Sequence, residues 1–372
     1  MEKRRQKNYF DYSLVFLIIF LLCLGFVMLY SITSYSSQIQ NGSSTEVLFK
    51  QMRSTGLGLV GMVIVAMIPC EFYKRFAFFG YILSYILILL VLSPIGLEVN
   101  GAKRWLLIGG MSFQPAEFAK LATILFLAFI ISKTSKQAHK FSYVVKMMAL
   151  ILPISALLMF VTSNLSSAII VAAIGFVMIF VASPKYSHFV GIIVAGVAVM
   201  SAVLLVMGGY RLERIMVWLN PEEYAQEGGY QVLQGLYAIG SGGLFGKGLG
   251  QSVQKLGYVP EAENDMVFAI ICEELGFVGA IAVIILFVFM IWRFMVISSN
   301  AQSLFASLLV VGIMTHIAVQ VLLNIAVVTN TIPNTGITLP FISYGGTSIL
   351  FLLTEMGMVL SVSRGIMQPE KL

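Results

Sequence analysis

Apolar residues in this chain collect in runs of about 20, separated by short polar or glycine- and proline-rich breaks. Runs of spanning length occupy residues 12–35, 54–69, 76–94, 115–132, 144–162, 165–182, 189–208, 266–292, 303–328 and 347–363. A helix rises about 1.5 Å per residue, so roughly 20 apolar residues match a hydrocarbon layer of about 30 Å. The pattern predicts ten transmembrane helices in an all-α, polytopic integral membrane protein, organised as one membrane domain over residues 1–372. The first run follows Lys3, Arg4, Arg5 and Lys7, but it is too long for a signal-peptide core and has no small-residue cleavage site. It is expected to be retained as the first span.

Composition agrees: 59% of residues are hydrophobic and 11% charged, which excludes an ordinary soluble domain. Charge then orients the spans. With the N-terminus inside, the cytoplasmic segments hold Lys3, Arg4, Arg5, Lys7, Lys74, Arg75, Lys133, Lys136, Lys140, Lys146, Lys185, Arg293, Arg364 and Lys371. The outer segments hold Lys50, Arg53, Lys103, Arg104, Arg211, Arg214, Lys247 and Lys255, and Lys120 lies within a span. This excess of inner basic residues predicts both termini in the cytoplasm. Cys23 and Cys272 sit inside apolar runs and Cys70 just beyond one, so no disulfide framework or metal set is suggested.

Irregular sequence gathers on the outer face. The loop 209–265, between the seventh and eighth helices, carries Glu213, Glu222, Glu223, Glu227, Glu261, Glu263 and Asp265, together with the run GSGGLFGKGLG. Within it Tyr230, Leu233, Leu236, Tyr237 and Ile239 form a helix-like apolar pattern suited to a membrane interface. Segments 95–114 and 329–346 are also outer and irregular, the second broken by Pro333, Gly336, Pro340, Gly345 and Gly346. Chemistry therefore faces outward.

Asp265 stands at the lip of the eighth helix, where a buried charge costs at least ~2.5–3.5 kcal/mol. At about 100° per residue, Ala269, Cys272, Gly276 and Gly279 share its side, a packed or cavity-lining stripe, while Phe268, Ile271, Leu275 and Val278 suit lipid. Two readings of Asp265 stand side by side: a helix N-cap, which Asn264 could equally supply, and a chemical group. In QPAEFAK, Pro115 and Glu117 are ordinary helix-start residues, but Lys120 lies one turn deeper, where it can pair with Glu117. That pair, with Lys103 and Arg104 nearby in sequence, could bind an anion; Arg104 with Trp105 also reads as an interfacial anchor. GSGGLFGKGLG fails as a nucleotide loop, with Ser241 and Gly248 at two required positions, and is either a flexible loop or a backbone nest for phosphate. Asn324 and Glu355 are expected to pair across the last two spans, with His316 a further polar residue there.

The motifs NGAKRWL and QPAEFAK, then RLERIMVWLNP and GGYQVLQGLYAIGSGGLFGKGLG, then QKLGYVPEAENDMVFAIICEELGFVG and finally GITLPFISYGGTS resemble, in that order on ten spans, the FtsW, RodA and SpoVE (SEDS) family. The resemblance implies a peptidoglycan glycosyltransferase in the bacterial cytoplasmic membrane, polymerising lipid II on the outer face in cell division or sporulation. It would work with a class B penicillin-binding protein transpeptidase and other divisome proteins, without nucleic acid. Asp265 would be the catalytic base, and Lys50, Arg104, Glu117 and Lys120 would bind substrate. No cofactor is demanded, although a divalent cation is compatible. The chain departs from the pattern at Glu263 and Asn264, at Gly235, and at Asn164 in SNLSSA, where an acid is common. A flippase for lipid-linked cell-wall precursors is the alternative, and a scaffold for division proteins a third reading. A flippase should line a path through the bilayer with charge, whereas here the ionisable residues are expected in the outer half.

The topology has a direct test. In a background without native cysteines, a cysteine placed at Gln226 should react with an impermeant thiol reagent in intact cells, and one at Ser135 should not. The reverse pattern would overturn the orientation.

Overall fold

Each of the ten apolar runs folds as helix. α1 (Tyr12–Asn41), α2 (Glu46–Met67), α3 (Ala77–Leu90), α4 (Pro115–Thr134), α5 (Phe141–Phe160), α6 (Leu165–Ala182) and α7 (Ser187–Val206) precede the long loop. Two further helices, α8 (Tyr210–Leu219) and α9 (Gly229–Gly242), form inside it, before α10 (Val267–Ser299), α11 (Leu304–Val328) and α12 (Gly346–Gly365). The computed structural model describes residues 6–8, 10–41, 45–99, 101–108, 111–206, 210–226 and 228–369. Lys3, Arg4, Arg5, Asn100, Gly209, Glu227 and Lys371 lie outside the described residues. Among the described residues seven helices, namely α1, α4, α5, α6, α10, α11 and α12, are long and apolar enough to cross a membrane.

The expectation of an all-α chain needs correction at two places. Segment 95–114 is an antiparallel sheet of β2 (Gly96–Val99), β3 (Ala102–Ile108) and β4 (Met111–Phe113). Its first hairpin pairs Val99 with Ala102 and carries Gly101 at φ +73°, a region that glycine enters freely. At the chain ends β1 (Gln6–Asn8) pairs with β5 (Met367–Pro369).

That terminal pairing puts both ends of the chain on one face, and an ion pair secures it. Asp11 Oδ1 caps α1 by accepting from Leu14 N (3.0 Å), and the Asp11 carboxylate receives the Arg293 guanidinium (2.6 Å) from the far end of α10. Asp11 N also donates to Ser363 Oγ in α12 (2.9 Å). Along the bundle, α12 packs closely on α2 because each helix sets a glycine against a larger residue of the other: a Cβ on Gly357 would meet Met62 O at 2.6 Å, and one on Gly58 would meet the Leu353 side chain at 2.6 Å.

At the opposite face α10 is broken. Gly276 is non-helical, at φ 70° and ψ −169°, so the backbone groups around it lose their helical partners. The glycine-rich run supplies replacements: Phe277 N donates to Gly243 O (2.9 Å), Val278 N to Leu244 O (3.1 Å), Lys247 N to Glu273 O (2.9 Å) and Gly248 N to Glu274 O (3.0 Å). GSGGLFGKGLG is thus neither slack loop nor phosphate nest, but the backbone that closes the helix break. The approach tolerates no side chain, since a Cβ on Gly276 would stand 2.2 Å from Gly246 N. The break also changes the predicted helix stripes. The turns from Val267 to Glu274 are buried on every side, Phe268 and Ile271 included, and lipid-type exposure begins only at Phe277 and Val278.

Gly276→Ala should therefore lower the thermal unfolding midpoint in detergent, at about 1–3 kcal/mol for the positive φ alone and more for the backbone collision. Gly61→Ala, where nothing lies within 4 Å of the added Cβ, should be neutral or mildly stabilising. Equal midpoints for the two variants would contradict the packing.

Candidate active site

Six carboxylates are buried among the described residues: Asp11, Glu117, Asp265, Glu273, Glu274 and Glu355. Five have a basic partner. Glu117 pairs with Lys120 (2.8 Å), Glu273 with Lys247 (2.7 Å), Glu274 with Lys255 (2.8 Å), Asp11 with Arg293 (2.6 Å) and Glu355 with His316 (2.8 Å). Asp265 is the exception: among the described residues its carboxylate meets no cation, and its side-chain partner is Gln231 Nε2, at 3.4 Å from Oδ1.

The backbone around Asp265 is pinned from three elements. Asn324 Nδ2, in α11, donates to Asp265 O (2.8 Å) and to Ile337 O (2.7 Å), and Tyr344 N donates to Glu263 O (2.8 Å). Gln231, in α9, accepts in turn from Asn334 Nδ2 (2.9 Å). The capping alternative does not hold, because the residue at the N-cap of α10 is Met266 and no side chain caps the helix. Burial, with Glu261 and Glu263 adding like charge, pushes the Asp265 carboxyl up to about 7, against its own backbone and Gln231, which favour the charged form. Burial also raises Glu263, with Glu261 again contributing.

Across the segment 337–345 lies the second group. Lys120 Nζ binds Glu117 and donates to Gln320 Oε1 (3.2 Å), while Gln320 Nε2 donates to Thr338 O (3.1 Å). His316 Nε2 faces the same Gln320 oxygen at 3.0 Å, and its Nδ1 faces Glu355. An amide oxygen only accepts, so the ring nitrogen is the donor in the contact with Gln320. Ser348 Oγ closes the chain on Glu117 (3.4 Å). Glu355 thus pairs with His316 rather than with Asn324, which is turned toward Asp265. The charged residues also reach deeper than the outer half, through His316 and Glu355, although they are bonded to one another and buried.

The remaining expected site residues occupy separate positions. Lys50 is exposed near the start of α2 and pairs with Glu46 (2.7 Å); the neighbouring Gln51 accepts from Gly345 N (3.2 Å), which places this end of α2 beside the 344–346 turn. Arg104 reaches from β3 to the turn after α5, donating to Thr162 O (3.2 Å) and Ser163 O (2.8 Å). Asn164 caps α6 through its side chain, accepting from Ser167 N (3.0 Å). Sequence reasoning missed Gln231, Asn334 and Gln320. Gln320 was legible, for His316, Gln320 and Asn324 fall at i, i+4 and i+8 on one face of α11. Among the described residues no three His, Cys, Asp or Glu side chains gather as a metal-ligand set.

Comparison with known proteins places this arrangement in a family. A family model described as cell cycle protein, covering FtsW, RodA and SpoVE, matches residues 12–367. Stage V sporulation protein E of Bacillus subtilis (strain 168) is 38% identical over 358 residues, spanning 95% of this chain and 97% of the relative. A probable peptidoglycan glycosyltransferase FtsW of Trichlorobacter lovleyi is 36% identical over 360 residues, 96% of this chain and 94% of its own. Among solved structures, a chain of a peptidoglycan synthase complex that coordinates polymerization and crosslinking superposes with a TM-score of 0.79 at 29% identity, covering 95% of this chain and 98% of that one. The rod shape determining protein RodA of Thermus thermophilus superposes with a TM-score of 0.68 at 28% identity, covering 95% and 97%.

Breaking the Glu117–Lys120 pair from either side strands a charge in an apolar bundle. Thermal stabilities of Glu117→Ala, Lys120→Ala and the double variant should therefore be non-additive by about 1–3 kcal/mol, the double variant being less damaged than the sum. Additivity within about 0.5 kcal/mol would show that the pair is not coupled.

Proposed function

The chain belongs to the FtsW, RodA and SpoVE family of cell cycle proteins, and from that membership and the setting of Asp265 we propose a peptidoglycan glycosyltransferase of cell division or sporulation, with Asp265 as its general base. One observation carries the reading. Asp265 is the buried carboxylate without a basic partner among the described residues, and a carboxyl near 7 is poised to take a proton at neutral pH.

The substrate is lipid II, a disaccharide-peptide on a polyprenyl diphosphate. Asp265 removes the proton of an acceptor sugar hydroxyl as its oxygen attacks the donor's anomeric carbon. The bond from that carbon to the diphosphate breaks, and the leaving group departs with the electron pair. Stabilising the diphosphate is work for cations. Lys50 is accessible beside the 344–346 turn and suits direct contact. Lys120 is buried and bonded to Glu117 and Gln320, so it acts through its field and by shaping the wall. Arg104 contributes by holding the sheet against the turn after α5.

Orientation follows from charge and from where the chain ends meet. The face bearing β1 and β5, with Lys74, Arg75, Lys133, Lys136, Lys140 and Lys185 among the inner basic residues, is cytoplasmic in this reading, and Asp265, α8, α9 and the β2–β4 sheet are outside. The partner is a class B penicillin-binding protein transpeptidase, a reading supported by the likeness to a chain of a synthase complex. Flipping of the precursor is less well supported, because among the described residues the buried charged groups of the bundle, Asp265 apart, are bonded to one another.

Asp265→Asn keeps the shape and removes the base. Glycan synthesis from lipid II by the purified variant should fall by about 10²- to 10⁴-fold at unchanged abundance, and near-normal chain synthesis would refute the assignment. In the parent protein kcat/KM should fall as pH drops through about 7, because the base must be ionised. Stability should run the other way. The carboxyl binds its proton more tightly folded than unfolded, so its contribution is present at acidic pH and is lost as pH rises through about 7. Asp265→Asn should accordingly raise the thermal midpoint above pH 7 and not at pH 4.

A further inference from the structure

A cavity of about 150 Å³ lies on the α8 and α9 side of Asp265, walled by Arg214, Val217, Trp218, Gly228, Gln231 and Asn334. Gln231 is common to both: its amide forms a wall of the cavity and also donates to Asp265 Oδ1. The walls are held from behind. Trp218 Nε1 donates to Asn330 O (3.0 Å), Asn330 Nδ2 donates to Trp218 O (3.3 Å), and Arg214 Nη1 donates to Asn334 O (2.9 Å). Asn330 sits at φ 51°, a left-handed position that asparagine accepts more readily than other non-glycine residues.

An indole, two carboxamides and a guanidinium converge here. An aromatic face accepts the C–H face of a sugar ring and carboxamides both donate to and accept from hydroxyl and acetamido groups, while the Arg214 guanidinium braces the Asn334 side of the wall. The volume is below the roughly 300–1,000 Å³ of pockets for drug-sized ligands, and suits one ring. Position gives the direction. Lys120, Glu117 and the ends of α2 and α12 stand across the segment 337–345 from this cavity. A lipid-linked diphosphate stays on that membrane side, which leaves the cavity for a saccharide. We propose that the cavity is a subsite for an N-acetylhexosamine ring of the acceptor saccharide, presenting its hydroxyl to the carboxylate beyond Gln231. The inference rests on the glycosyltransferase reading and deepens it.

The test uses full-length protein in proteoliposomes with lipid II and the transpeptidase partner. Gly228 has φ −62° and an added Cβ would meet Val217 at an ordinary 3.5 Å, so Gly228→Leu adds bulk at the cavity wall with no backbone strain and no Cβ collision. It should raise the apparent KM for lipid II about tenfold or more, with kcat within about threefold, the mark of lost ground-state binding. The chain has three tryptophans, Trp105, Trp218 and Trp292, so in the full-length chain reconstituted without the partner Trp105→Phe with Trp292→Phe leaves Trp218 as sole reporter. A lipid-free tetrasaccharide of alternating N-acetylglucosamine and N-acetylmuramic acid should change its fluorescence saturably, and not when Gly228→Leu is added. If the parent polymerises while Gly228→Leu has an unchanged KM and the saccharide leaves Trp218 silent, the subsite is overturned and the function stands. Loss of partner co-purification alone, with unchanged saccharide response, makes the cavity a protein docking point and overturns it too. No glycan from the parent would sink the functional reading, and this one with it.

Discussion

A charge inside an apolar bundle must be paired, and the fold is organised around meeting that demand. Most of these pairings tie elements far apart in sequence. Asp11 and Arg293 tie α1 to α10, with Ser363 adding α12. Glu355 and His316 tie α12 to α11, and Lys120 joins α4 to α11 through Gln320. At the break in α10, Glu273 and Glu274 turn to different partners. Glu273 takes Lys247 and the backbone of Val253 and Gln254, and Glu274 takes Lys255 together with Ser31 of α1. Lost pairing is costly in such surroundings, which makes these contacts positional constraints as much as stabilising ones.

Against that background the unpaired carboxylate acquires meaning. The closed break at Gly276 fixes the first turns of α10, Asn324 holds the Asp265 backbone, and Gln231 meets one carboxylate oxygen with a weak contact. The surroundings hold Asp265 in place without neutralising it, so its proton affinity rises. Fixed position with raised proton affinity is what a general base at neutral pH requires, at some cost in stability.

Much of this was legible in the sequence because membrane helices are written in local composition. Ten of the twelve described helices follow from apolar runs, and the Glu117–Lys120 pair follows from i, i+3 spacing. Asp265 is legible as a charge at a helix lip, but capping and chemistry look alike in sequence and only the position of Met266 at the cap separates them. What escaped depends on contacts between distant segments. Asn324 was expected to meet Glu355 because both are polar residues in adjacent spans, yet position along α11 assigns Asn324 to Asp265 and His316 to Glu355. The glycine-rich run gave no sign that its carbonyls and amides complete a broken helix, since the break depends on both partners together. The sheet at 96–113 is hard to see in sequence because its strands are short and lie between long apolar helices, with the Asn-Gly dipeptide as the one local hairpin signal.

The central claim is that Asp265 is a buried carboxylate left uncompensated so that it titrates near neutrality. Infrared difference spectroscopy of the protonated carboxyl stretch, comparing the parent with Asp265→Asn across pH 4 to 9, observes that group directly. The account predicts a band lost in the variant and titrating in the parent with a midpoint of about 7. A band already absent at pH 5, placing the group near the ordinary aspartate value of about 3.9, would contradict it.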